Sequence, residues 1–174
     1  WTALPISIYA SSIVIFFILS SAPSIPEGTT NCAFWFSSLS FFNESVILPQ
    51  SAIDCKGTFS YCSNFNQPIT IPNNVTNCSQ LFKMCYNFDQ PITIPDNVTN
   101  CADMFNTCYY LKSEIILGNN IEDCKSMFYQ CNDFNQPIII SNNVTDCSYM
   151  FYQCNNFDQP IIIPDNVENC SAMF

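Results

Sequence analysis

The sequence predicts a repeat solenoid with short parallel strands and a short helix in each coil, and three observations predict it. Seven cysteines follow one another at intervals of 23 residues, and five more form a second series at the same interval. Phenylalanine and isoleucine recur in further series at that spacing. Self-similarity at a fixed period of roughly 20 to 50 residues is the signature of stacked coils, each of which buries its apolar edge against its neighbours.

Within one repeat, the order of the elements follows from local patterns. The segment "PITIP" (91–95) alternates an inward isoleucine with an outward residue and ends at proline, which predicts a short strand and a turn. The segment "NVTNC" (97–101) predicts a second extended piece. In "CADMFNTC" (101–108), the apolar residues Cys101, Met104, Phe105 and Cys108 have the spacing of one helical face, which predicts a short helix.

These repeats divide the chain into two parts. Residues 32–174 are predicted to be tandem 23-residue coils, the last of them incomplete, and residues 1–31 an apolar N-terminal segment followed by a degenerate capping coil. The stretch from Ile6 to Ala22 is apolar and ends in a site that resembles a signal-peptidase site. We expect an ordered cap or docking segment there, with a secretory signal and a membrane anchor as alternatives.

Composition argues against several classes of function. The net charge is −10, and such an acidic surface repels nucleic acid and anionic lipid, so neither nucleic acid nor a membrane is an expected partner. Histidine is absent, which removes the usual general base and the commonest metal ligand. We therefore expect a protein that is not an enzyme and needs no cofactor or metal.

The cysteines allow two interpretations that the sequence leaves open. They are either buried small apolar residues or disulfide partners, paired within coils or between adjacent coils. Between the pairings we favour links across coils, because these oppose separation of the stack, whereas links within a coil close only small loops. The first series is Cys32, Cys55, Cys78, Cys101, Cys124, Cys147 and Cys170, and the second is Cys62, Cys85, Cys108, Cys131 and Cys154.

Several asparagines match the acceptor pattern for N-glycosylation, and the best candidates follow the strand-ending turn. Alternatively, these asparagines form a ladder of hydrogen bonds along the stack. A 23-residue repeat would then copy a chance sequon from coil to coil without any glycan being attached. The candidates are Asn43, Asn74, Asn97 and Asn143.

An apolar stripe and the two ends of the chain predict contact surfaces. Isoleucine occupies the outward strand position in several coils, which predicts an exposed stripe unless another segment of the chain covers it. The segment "LPISIY" in residues 1–9 resembles "QPITIP", so we expect it to complete the broken last coil of another copy and to build a head-to-tail filament. The predicted assembly and contact residues are Ile47, Ile116, Ile139, Ile162, Trp1, Leu4, Ile6, Ile8 and Phe174.

The repeat "IPxNVxxCxxMFxxCxxFxQ" resembles the 23-residue leucine-rich repeats of BspA-like bacterial surface proteins. The "FNQPI" at 65–69 and 134–138 is also similar to the FNQP surface repeats of wall-less bacteria and to the FNIP repeats of amoebae and giant viruses. The resemblance implies a leucine-rich-repeat type of solenoid and surface display. The first cysteine series departs from it, because such repeats carry isoleucine or methionine at that position.

Two functions follow as expectations. The first is a secreted structural protein, on a cell or virion surface, that assembles head-to-tail with copies of itself into a fibre. The second is a monomeric surface-displayed adhesin that binds a host or matrix protein.

Overall fold

The computed structural model describes residues 23–174, in which the chain returns to an equivalent position after every 23 residues. Parallel bridges join the residue before each first-series cysteine to its equivalent in the next coil, from Asn31 with Asp54 to Asp146 with Asn169. The regular strands are β1 (Ile92–Thr93) and β2 (Ile115–Ile116), which pair in parallel. We infer that residues 23–174 form a repeat solenoid. The predicted N-terminal contact residues and the apolar segment up to Ala22 lie outside the described residues.

Two columns of stacked phenylalanine rings fill the centre of the stack. Phe59 and Phe82, one coil apart, stack with ring centroids 5.8 Å apart, and Phe59 also stacks on Phe65 of its own coil at 4.3 Å. The next equivalent pair, Phe82 and Phe105, stacks at 5.6 Å. Each such pair contributes about 0.5–1.5 kcal/mol beyond the burial of its area. The stacked rings therefore fill the space between adjacent coils at the spacing of the backbone.

The predicted helix between the two cysteine series is wrong. Residues 101–108 form successive turns, and the same holds for the equivalent segment of every other coil, so residues 23–174 contain no helix. Neighbouring helices pack about 8–10 Å apart. Because equivalent phenylalanine rings lie only 5.5–5.8 Å apart, helices in the same register would force the coils apart on this side.

The turn segment, defined by residues 101–108 and their equivalents, alternates two kinds of backbone hydrogen bond. The N–H groups of residues 101, 103, 105 and 107 donate to carbonyls of the next coil, at 2.7–2.9 Å. Those of Met104, Asn106 and Cys108 donate to the carbonyl three residues earlier in their own coil, at 2.9–3.1 Å. Every second peptide group therefore joins the coils, and the others close the turns.

This alternation requires two left-handed residues in each coil. Asp103 and Thr107 have φ of 58° and 65°, and their equivalents are left-handed too. Gly57 is the one glycine in these positions, and a Cβ there would meet the ring of Phe34. For other residues the left-handed conformation costs roughly 1–2 kcal/mol. The other left-handed positions are Phe34, Ser38, Tyr61, Gln80, Met84, Ser126, Gln130, Tyr149, Gln153 and Ala172.

Asparagine or aspartate directly precedes each turn segment. Its Oδ1 accepts the backbone N–H two residues later, as in Asn100 with Ala102 at 3.0 Å. Such a turn satisfies a donor that the coil-to-coil bonds leave free. The same bond forms in all seven coils, at Asn31, Asp54, Asn77, Asn100, Asp123, Asp146 and Asn169.

We predict that glycine stabilises the fold at a left-handed position. Ser126 has φ of 53°, so Ser126→Gly relieves backbone strain and should raise the melting temperature by about 2–4 °C, for a net gain near 1 kcal/mol. Ser63→Gly is the matched control, because Ser63 is not among the left-handed residues and should lose about 0.5–1 kcal/mol. Thermal unfolding followed by circular dichroism measures both changes, and equal destabilisation by the two would contradict the strain.

Candidate functional site

The outward strand positions form an apolar surface, here called the isoleucine face and made of Ile47, Ile116, Ile139 and Ile162 with Thr70 and Thr93 between them. Successive strand residues point to opposite sides, so Ile138 is 6% exposed whereas Ile139 is 87% exposed. Ile162 is 85% exposed and Ile47 is 79% exposed. Within residues 23–174, no segment covers this stripe.

The turn segments and the residues just after them expose aromatic side chains. Tyr61, Tyr110 and Tyr149 are 47%, 56% and 40% exposed, and all three lie in or just after a turn segment. Tyr129 and Tyr152 stack at 5.3 Å, and Tyr149 meets Tyr152 edge to face at 5.9 Å. The molecule therefore exposes aliphatic side chains on its strands and aromatic ones around its turn segments. Phe174, which was predicted to be a contact residue, is also exposed.

The second cysteine series forms a ladder of thiol hydrogen bonds. The Cys85 thiol donates to the carbonyl of Phe59 in the preceding coil, at 3.0 Å, and this carbonyl also accepts the N–H of Cys62. Both lone pairs of a buried carbonyl are thus satisfied, which an aliphatic side chain at position 85 would not achieve. The same thiol bond, at 2.8–3.1 Å, forms at Cys62, Cys85, Cys108, Cys131 and Cys154.

All twelve cysteines are free thiols in the structure, and every one except Cys170 is buried. Burial raises the pKa of the Cys62 and Cys154 thiols to about 12 and that of Cys147 to about 11. Since the thiolate is the reactive form, these groups are inert near neutral pH. This arrangement agrees with the interpretation of cysteine as a small buried residue, and the disulfide pairing stays a prediction.

The glycosylation candidates Asn74, Asn97 and Asn143 belong to a second ladder. The side-chain N–H of Asn97 donates to the carbonyl of Asn73 in the preceding coil at 2.7 Å, and Asn74 and Asn143 make equivalent bonds. Asn120 and Asn166 make the same bond although neither begins a sequon. The ladder therefore explains asparagine at this turn position. Glycan attachment there and at the exposed Asn43 stays a prediction.

Neither a metal centre nor a membrane span is found in residues 23–174. No group of three or more cysteine or acidic side chains there is arranged to hold a metal ion. Those residues contain no helix of the length and hydropathy that crossing a bilayer requires.

Comparison with known families gives two overlapping matches to DUF285, described as a Mycoplasma protein of unknown function, over residues 29–117 and 95–174. The chain belongs to this family. The two matches share residues 95–117, which is 23 residues, the length of one coil. Membership confirms a Mycoplasma-type repeat and leaves the BspA-like resemblance untested. Searches of curated proteins and of solved structures found no match.

In this DUF285 chain, the "FNQ" and "FDQ" motifs have a structural role that sequence reasoning missed. Asn66 Oδ1 accepts the backbone N–H of Asp89 in the next coil at 2.9 Å and the side-chain N–H of Gln90 at 3.0 Å. Asn135 bonds Asp158 and Gln159 in the same way. Recurrence of asparagine or aspartate four residues after the second cysteine series, as in Asn66 and Asn135, was the available signal. These bonds fix the start of each strand and thereby which isoleucine points outward.

We predict that native and unfolded protein differ sharply in the number of thiols that react with a reagent. With a thiol reagent at neutral pH and no reductant, native protein should react at Cys170 alone, and protein in denaturant should react at all twelve cysteines. Cys170→Ser is the control and should remove the native reaction. Fewer than twelve reactive thiols after unfolding would instead establish disulfides.

Proposed function

We propose that this DUF285 protein is a non-enzymatic binding module of the leucine-rich-repeat type, displayed on a cell surface, whose isoleucine face contacts another protein. The observation that carries the proposal is the exposure of Ile139 and Ile162, at 87% and 85%, side by side on adjacent coils. Contiguous exposed apolar side chains, as opposed to scattered ones, mark interaction surfaces.

The isoleucine face can supply binding energy at little entropic cost. Burying one isoleucine side chain stabilises a complex by roughly 1.5–3 kcal/mol. Two adjacent coils of this face are joined by backbone hydrogen bonds between β1 and β2, as in Ile94 N–H to Ile116 O at 2.9 Å. A surface that is already ordered loses little freedom on binding.

The proposed surface location is supported by resemblance. The repeat pattern resembles BspA-like and FNQP surface repeats, and the match to a Mycoplasma repeat family agrees with that group. The repeated coils also provide a long, regular surface, which suits recognition more than the enclosed pocket that catalysis needs.

The binding proposal is tested by replacing isoleucine with the residue found at equivalent positions. Thr70 and Thr93 show that threonine is accepted there, so Ile139→Thr with Ile162→Thr should fold normally. Wild type and variant would be compared by surface plasmon resonance for binding to individually immobilised matrix proteins: fibronectin, laminin and collagen. We expect one of these to bind the wild type and to lose about a hundred-fold in affinity with the variant.

The control for that test lies in a turn segment. Tyr149→Ser removes an exposed ring from a turn segment, which is not part of the isoleucine face, and should leave affinity unchanged. Equal losses of affinity in the two variants would contradict a contact made through the isoleucine face. Equal affinity of the wild type and both variants would contradict it as well.

Assembly into a head-to-tail fibre remains a second proposal. It is supported by the repeated joint between coils, because the turn-segment N–H groups of one coil always donate to the next, and a coil of another copy offers the same acceptors. Electron microscopy of the native chain at neutral pH should then show filaments that disappear when residues 1–9 are deleted. Dispersed rods, or filaments that survive the deletion, would contradict it.

A further inference from the structure

The isoleucine face carries no charge, although the protein as a whole has a net charge of −10. In each coil, the segment equivalent to β1 and β2 and the two residues that follow it are uncharged. These segments read VILP, ITIP, ITIP, IILG, IIIS and IIIP in order along the chain, at 46–49, 69–72, 92–95, 115–118, 138–141 and 161–164. The fourteen acidic residues therefore lie elsewhere on the coils.

Carboxylates border this neutral face on both sides. Glu114 directly precedes β2 and is exposed, and Asp158 is exposed on the same border two coils further on. On the other border, Asp96 and Asp165 directly follow the strand-ending prolines of their coils and are exposed. One lysine, Lys112, lies on the first border.

The border carboxylates are available to a partner. Residues 23–174 contain two ion pairs, Lys83 with Asp103 at 3.4 Å and Lys112 with Asp133 at 3.1 Å, and neither involves a border carboxylate of the isoleucine face. The lysines at 56, 83 and 125 lie in turn segments, away from the strand. The surface thus offers an apolar centre with two exposed carboxylates on each border and one lysine, Lys112, which pairs with Asp133.

A second copy of this chain is a poor occupant. Because both borders carry carboxylates, two isoleucine faces laid against each other would bring acidic borders together in either orientation. Like charges brought together at an interface disfavour association. Anionic lipids and nucleic acids are disfavoured for the same reason.

We propose that the isoleucine face binds a cationic polypeptide, one that presents apolar side chains to Ile116, Ile139 and Ile162 and lysine or arginine to the carboxylates on either side. This inference rests on the proposed binding function and adds the chemistry of the partner. The apolar centre supplies most of the affinity, and the charged borders select the partner and speed its association.

The test uses three synthetic peptides of equal length and the full chain. One peptide alternates isoleucine with lysine, one isoleucine with glutamate, and one serine with lysine. Isothermal titration at low and at physiological salt should show the strongest binding for the isoleucine–lysine peptide, weaker binding for serine–lysine, and none for isoleucine–glutamate.

Two sets of variants separate the apolar and charged contributions. Ile139→Thr should weaken binding of the isoleucine–lysine peptide about ten-fold without changing its salt dependence. Glu114→Gln with Asp158→Asn should weaken it a few-fold and flatten its salt dependence. Glu122→Gln is the matched control, because Glu122 is exposed but lies before the turn segment, away from both borders.

The outcomes that would overturn this proposal differ from those that would overturn the binding function. Equal effects of Glu122→Gln and the border variants would show that general negative charge, not this face, attracts the peptide. Stronger binding of the isoleucine–glutamate peptide, lost on Ile139→Thr, would keep the face as a binding surface and reject a cationic partner. Insensitivity of all three peptides to Ile139→Thr would reject the face itself.

Discussion

The alternation of hydrogen bonds in the turn segment is the constraint on which the rest of the molecule depends. With every second N–H directed to the next coil, the backbone of the turn segment holds its neighbours at the separation that the parallel bridges directly before each segment and the β1–β2 pair also require. The cost is a left-handed conformation twice per coil, at residues such as Asp103 and Thr107. The bonds gained by each coil offset this strain, and the same pattern therefore recurs throughout residues 23–174.

The core residues fit the coil separation that these backbone hydrogen bonds set. Phenylalanine rings stack flat on their equivalents, and the thiols of the second cysteine series occupy the buried carbonyls that the turns leave half satisfied. Cysteine suits this position because it is small, apolar and still a donor. The core and the turns repeat with the 23-residue period, whereas the outward strand position varies and carries isoleucine in some coils and threonine in others.

Much of this arrangement was predictable from spacing, but its local geometry was not. The 23-residue period placed Ile138 inside and Ile139 outside, because alternation along a strand depends only on position. The same apolar spacing was misleading at residues 101–108, where inward residues three and four apart arise from consecutive turns as readily as from a helix. Gly57, Thr58 and Ser60, all poor helix formers in one such segment, were the signal against a helix. The excess of acidic residues was visible in the composition. Their position beside a neutral face was not, because it depends on how each coil closes.

The direction of the coil-to-coil bonds also gives the stack an electrical polarity. In each turn segment from 32–39 to 124–131, four peptide groups point their N–H toward higher residue numbers. They outnumber the groups that point the other way, such as Thr99 N–H to Thr76 O, so a net dipole remains along the stack, at about 3.5 D per peptide group. An α-helix aligns its peptides too, but its N–H groups point toward its own N-terminus, so the sense here is reversed. The positive pole of this macrodipole lies toward the higher-numbered coils. Two such stacks lying side by side would attract when they run in opposite directions and repel when they run in the same one.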